Sequence, residues 1–141
     1  MDLAWAAGII DADGYIGLLN SSVKRLSNGK PKRYPDIRVS VDNYDVLMVD
    51  KLHSMFDGSR FTKSGASVNR RKDIQRWMVA SKKAESCLRL IVPYLVTKHK
   101  QAELALKFRD MVNSNVTNVV PLAKRHLDDV NWVHAMKKLK V

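Results

Sequence analysis

The chain has 141 residues and a mass of 16.0 kDa, with 45% hydrophobic and 28% charged residues. That is the composition of one globular domain and excludes a disordered or collagen-like chain. No apolar run approaches the roughly 18 residues of a membrane span, and no basic stretch ahead of an apolar one marks a signal peptide. The single cysteine, Cys87, excludes an intramolecular disulfide and a cysteine-built zinc site. These features suggest an intracellular protein without a membrane partner. Lys and Arg number 25 against 14 Asp and Glu, a formal net charge of +11. Residues 24–83 carry 15 of those bases and 6 of the acids, so most of the excess lies there. The bases fall among strand-like segments, not along one amphipathic helix, which favours a nucleic acid over a membrane surface.

In chain order, Asp2 suits the cap of a first helix over residues 3–12, with Leu3, Ala6, Ala7 and Ile10 on its core face. Ala4, Gly8 and Ala12 form a stripe of small residues four apart. Glycine inside a helix costs about 1 kcal/mol relative to alanine, so Gly8 requires a reason, such as the close approach of another backbone. Residues 15–25 and 34–42 read as strands around a turn at 27–31. Alternation puts Ile37, Val39 and Val41 on one face of the second strand and Asp36, Arg38, Ser40 and Asp42 on the other. Asp45 suits the cap of a helix through Phe56, with Met48, Leu52 and Met55 inward and Gly58 as its stop. Residues 59–68 and 74–80 read as a second hairpin with a basic loop at 69–73; Trp77 and Val79 face the core. Ser81 suits the cap of a helix carrying Ala84, Leu88 and Ile91, which Pro93 interrupts. A further helix over about 97–112 places Leu104, Phe108 and Met111 together. A polar linker at 113–118 precedes a last helical region, beginning near 121 or 128 and ending near 139. The order implies one α+β domain, with its core over about 1–112 and a helical extension over about 119–141.

Asp11 and Asp13 lie at the end of the first helix, where the macrodipole already places negative character. A hard divalent cation would compensate them. Asp followed by Gly equally suits a turn, so for Asp13 both readings stand on the residues alone; for Asp11 the structural one is favoured.

Residues 6–14 read Ala-Ala-Gly-Ile-Ile-Asp-Ala-Asp-Gly. This run closely resembles the nine-residue motif of the LAGLIDADG homing endonucleases, with Ala6 in place of leucine and Ile9 a conservative change. Pro93, Tyr94 and Leu95, followed by Lys98, Gln101 and Ala102, resemble the family's late helix boundary and its lysine. The αββαββα order also matches, so the resemblance covers about residues 1–110. It implies an antiparallel sheet with helices on one face and a concave, DNA-binding face on the other. One motif implies a homodimer whose motif helices cross at a two-fold axis, with Ala4, Trp5, Gly8 and Ala12 at the interface. It further implies that Asp13 binds Mg²⁺ with help from the Ala12 carbonyl, and that Lys98 is the active-site lysine. Asp11 positions this segment. A polar active-site residue late in the second strand falls at Asp42 or Asn43. Ca²⁺ would support binding without cleavage. Without the resemblance, Lys98 would read as ordinary surface charge.

The implied function is a site-specific double-strand DNA endonuclease that leaves short 3′ overhangs. The other reading is an intron-RNA maturase acting on its own intron RNA, or a DNA-binding protein that does not cleave; Asp13 and Lys98 favour the enzyme. A start just ahead of the motif helix fits a complete unit better than half of a larger enzyme. Asp36, Arg38 and Ser40 are the base-contact candidates, followed by Ser21, Arg25 and Arg76. Arg70 and Arg71 suit phosphates. A strand pair about ten residues long spans roughly 33 Å, or about 10 base pairs, so a dimer would cover on the order of 20, with pseudo-palindromic character.

Overall fold

The computed structural model describes residues 2–25, 29, 31–63, 73–115 and 132–139. Arg70 and Arg71 in the basic loop, and the linker after residue 115, lie outside the described residues.

The first helix, α1 (Asp2–Asp13), buries Ala6, Ala7 and Ile10 completely. Ala4, Gly8 and Ala12 are exposed on its other side. A helix apolar on both faces has one face too many for a single chain to cover. Gly14 then turns α1 directly into strand β1 (Gly14–Arg25). A Cβ at Gly14 would sit 2.6 Å from the Ile10 carbonyl oxygen, so this junction without a loop requires glycine.

β1 pairs antiparallel with β2 (Pro31–Asn43). β2 pairs in turn with β4 (Ile74–Ala80), and β3 (Ser59–Lys63) lies on the far edge. The sheet order is therefore β1-β2-β4-β3. Alternation along β2 holds: Ile37, Val39 and Val41 are fully buried. Their partners Leu18, Ile16, Val79 and Trp77 are buried on the same face.

Four helices cover that face. In α2 (Val46–Phe56), Leu52 is buried as expected, together with Val49, while Met48 and Met55 are half-buried. Asp45 caps it by accepting the Leu47 and Met48 N–H groups at 2.9 and 3.4 Å. Its end is tight: Gly58 has φ 99°, and a Cβ there would lie 2.3 Å from the Met78 carbonyl oxygen. The stop expected at Gly58 thus also reflects the close passage of β4. The helix α3 (Ser81–Ile91) buries Ala84, Cys87, Leu88 and Ile91. Its expected cap is corrected. Ser81 has φ 52° and its hydroxyl donates to Asp36 at 2.5 Å, so no side chain caps α3. Pro93 sits in a 3₁₀ turn (Val92–Tyr94), as its missing N–H requires. The helix α4 (His99–Asn115) starts two residues later than expected and runs past 112. It buries Ala102, Ala105 and Phe108. Residues 132–139 are helical; Met136 is buried, and the Trp132 ring meets Phe108 edge-on at 6.0 Å. Each such fully buried large side chain contributes about 1.5–3 kcal/mol. Among the described residues no helix is long and apolar enough to cross a membrane.

Candidate active site and nucleic-acid face

The two motif aspartates have different surroundings. The Asp11 carboxylate accepts the backbone N–H groups of Val96 and Lys98 at 2.7 and 2.9 Å. The Lys98 ammonium donates back to the Asp11 carbonyl oxygen at 2.6 Å. The end of α1 and the approach to α4 therefore cap each other, and the ammonium sits where the helix dipole is negative. This exchange satisfies Asp11 internally.

Asp13 has no such compensation. Its carboxylate is exposed and accepts one hydrogen bond, from the Asn43 side-chain amide at 3.0 Å. Asn43 in turn accepts the Asp45 N–H at 2.8 Å, which fixes its amide at the end of β2. Of the two expected polar residues, Asn43 therefore meets Asp13. Asp42, one residue earlier, engages Arg76 instead. Beside this corner, Gly14, Tyr15, Ile16, Thr97, Lys98 and Gln101 line a hollow of about 250 Å³. Among the described residues no three His, Cys, Asp or Glu side chains converge as a metal cluster.

The sheet face opposite the helices is concave and polar. An open hollow of about 400 Å³ there is lined by Asp13, Tyr15, Arg38, Ser40, Asp42 and Arg76, with Leu19 and Met78. The face thus runs continuously from Asp13 along β2 and β4. Among the described residues, Arg38 holds its buried Nε without a hydrogen-bond partner. Arg76 is bound bidentately by Asp42, with Nε and Nη2 donating at 2.5 and 2.6 Å. The hydrogen bonds from Arg76 hold the Asp42 carboxyl below its ordinary value, against the effect of burial; Lys63 at 3.9 Å adds to this. Burial raises the Tyr15 hydroxyl, and the nearby Arg38 opposes that shift.

Asp36 departs from expectation. It meets Arg109 of α4 at 3.4 Å as well as Ser81, with the two ionic side chains 14% and 7% exposed. Arg109 also donates to Glu85 at 2.9 Å. Asp36 thus ties β2 to α3 and α4 and is not presented on the face with Arg38 and Ser40. Ser21 lies where the β1–β2 register shifts, and Arg25 is opposite Pro31. Trp5 packs half-buried against the core under Lys51, whose Nζ is 4.4 Å from the ring centroid. Cys87 is core packing; burial pushes its thiol up to about 12.

Residues with no assigned role in the sequence reading also belong to this face. Tyr15 and Met78 line the hollow, and Phe61 lies with its ring 5.7 Å from the Arg76 guanidinium. Strict alternation from Ser40 and Arg76 would have indicated Tyr15 and Met78, once the register was known. For Met78 nothing local reveals that register, because on this side β2 pairs with β4 and not with β3, the next strand along the chain.

At the level of sequence, no protein-family model and no curated protein matches the chain. At the level of structure, the chain is similar to the homing endonuclease I-CvuI, in complex with the I-CreI target in the presence of 2 mM Mg with the DNA not cleaved. The TM-score is 0.70 and the identity 16%, over 98% of this chain and 81% of that one. It is similar to the archaeal intron-encoded homing endonuclease I-Vdi141I complexed with DNA, at TM-score 0.66 and 14% identity over 98% and 83%. The I-SmaMI LAGLIDADG homing endonuclease bound to cleaved DNA gives TM-score 0.58 and 20% identity, over 84% of this chain but 39% of that one. The fold is that of the LAGLIDADG homing endonucleases: α+β, with a four-stranded antiparallel sheet covered by helices on one face.

Proposed function

We propose that the protein is a LAGLIDADG endonuclease of the single-motif type, a homodimer that cuts double-stranded DNA at a long pseudo-palindromic site. The observation that carries this reading is Asp13. It is an exposed carboxylate at the negative end of a helix, paired among the described residues only with a neutral amide and bordering a concave, arginine-bearing sheet face.

A hard divalent cation such as Mg²⁺ fits these donors, which are oxygens only, and Asp13 with the Ala12 carbonyl would hold it. When bound, it would supply charge stabilisation to the phosphodiester and to the attacking and departing oxygens. One carboxylate per chain is a sparse ligand set for such an ion. A second copy would complete it, and the exposed Ala4, Gly8 and Ala12 stripe lets two such helices approach closely. The chain spans most of the length of I-CvuI and under half that of I-SmaMI. Asn43 orients the Asp13 carboxylate. Lys98 brings an ammonium to the same corner, where it offsets phosphate charge. Arg38, Ser40 and Arg76 contact bases, as do Ser21 and Arg25, and Arg70 and Arg71 serve phosphates. On this reading, cleavage leaves a pair of short 3′ overhangs.

The test is cleavage of a randomised duplex library with Mg²⁺, followed by sequencing of the cut ends. Recurrent cuts within one long, two-fold related sequence are expected. Enrichment by binding without any cut would support the maturase or binder reading instead.

A further inference from the structure

We infer that Asp42 and Arg76 form one base-reading unit, in which Asp42 holds the Arg76 guanidinium so that its free edge reads a guanine near the centre of the site. The inference rests on the DNA-endonuclease reading above and goes beyond it, to which residue sets specificity, where, and for which base.

A guanidinium is a planar fork with five N–H donors. Asp42 occupies the Nε and Nη2 edge, with both contacts short. Nη1 makes no hydrogen bond among the described residues, so the Nη1–Nη2 edge keeps parallel donors directed away from Asp42. Two parallel donors match the O6 and N7 acceptors that guanine presents in the major groove, and no other base offers that pair. The pair is also held from a second side, by the Phe61 ring under the guanidinium. Lys63 at 3.9 Å further secures the ionised Asp42. An arginine fixed in this way loses less side-chain freedom on binding than an unsupported one. The Arg76 and Asp42 side chains are 28% and 38% exposed, so the unit is held and still reachable.

Its place in the sheet sets its place on the DNA. Arg76 pairs with Asp42, and the neighbouring pair is Trp77 with Val41. Val41 pairs in turn with Gly14, the residue after Asp13. Arg76 therefore stands at the end of the sheet closest to Asp13. Arg38 is four residues away along β2, roughly 13 Å or about four base pairs further out. Asp42 is thus a positioning residue for Arg76, and the pair sets specificity on the inner part of each half-site.

The experiment is selection of binding sites from a randomised duplex library, without cleavage conditions. It compares the unmodified chain with Arg76→Ala, Asp42→Ala and Arg76→Lys, with melting temperatures as a folding control. The expected result is a guanine at one inner position of each half-site for the unmodified chain. Arg76→Ala and Arg76→Lys should erase that preference and weaken the preferred site roughly 5- to 150-fold, leaving other positions unchanged. Asp42→Ala should blur the same position while binding to unrelated sequences becomes tighter, because a negative charge leaves the face. An unchanged guanine in Asp42→Ala, or an even loss across all positions in Arg76→Ala, would overturn the inference and leave the endonuclease reading intact. Failure of the unmodified chain to enrich any sequence would overturn both.

Discussion

Two glycines of one motif have opposite explanations. Gly14 is required from within: any Cβ there collides with the Ile10 backbone. Gly8 is not, since among the described residues nothing beyond its own helix backbone and chain neighbours lies within 4 Å of the position a Cβ would take. A mid-helix glycine that no internal contact needs costs about 1 kcal/mol of helix stability. On the dimer reading, the reason lies in the second copy. Gly8→Leu should therefore fold, as thermal melting would show, yet sediment as a monomer at concentrations where the unmodified chain is a dimer. A dimer of unchanged mass and dissociation constant would place the interface elsewhere. Asp11 and Asp13 show the same divide between internal and external purpose. Their difference was only partly legible in sequence, because the partners of Asp11 lie far along the chain at Val96 and Lys98.

At the scale of elements, periodicity identified the helices and strands well where one face is apolar, as along β2 and α3. It failed where side chains override local preference. Ser81 looks like a cap but serves Asp36, because a buried network outweighs one cap bond. Arg109 gave a usable signal: it continues the buried stripe of Ala102 and Ala105, so a charge there required a partner. That partner could not be named without the packing of α4 on α3. The network carries a pH-dependent prediction. Burial raises the Glu85 carboxyl, but hydrogen bonds from Arg109 and Asn113, with the charge of Arg109, outweigh this and hold it below its ordinary value. A carboxyl depressed by folding contributes stability above its unfolded pKa, near 4.3, which is lost as pH falls through the folded value. Glu85→Gln should therefore cost about 1–3 kcal/mol near pH 7, and progressively less at an acidic pH, as Glu85 itself takes up a proton. Urea midpoints of both proteins at the two pH values measure it. An equal loss at both would show that the charge of Glu85 contributes nothing.

For the whole molecule, the motif and the order of elements made the fold legible, and the structural similarity to I-CvuI and I-Vdi141I agrees with that reading. The concave face was legible as a basic strand face but not as an arrangement. Its pairs depend on the β1-β2-β4-β3 order, which only the folded chain displays. Asp13 stands at one end of this face, and binding and cutting should therefore separate at this one residue. Asp13→Asn keeps the size and the acceptor that Asn43 uses, and removes the negative charge. On a duplex carrying the selected site, gel-shift affinity and strand cleavage of both proteins should be measured together, with and without Mg²⁺. The account predicts that Asp13→Asn binds this duplex in the absence of metal at least as tightly as the unmodified chain, and that its Mg²⁺-dependent cleavage disappears. Cleavage by Asp13→Asn at the unmodified rate would contradict it.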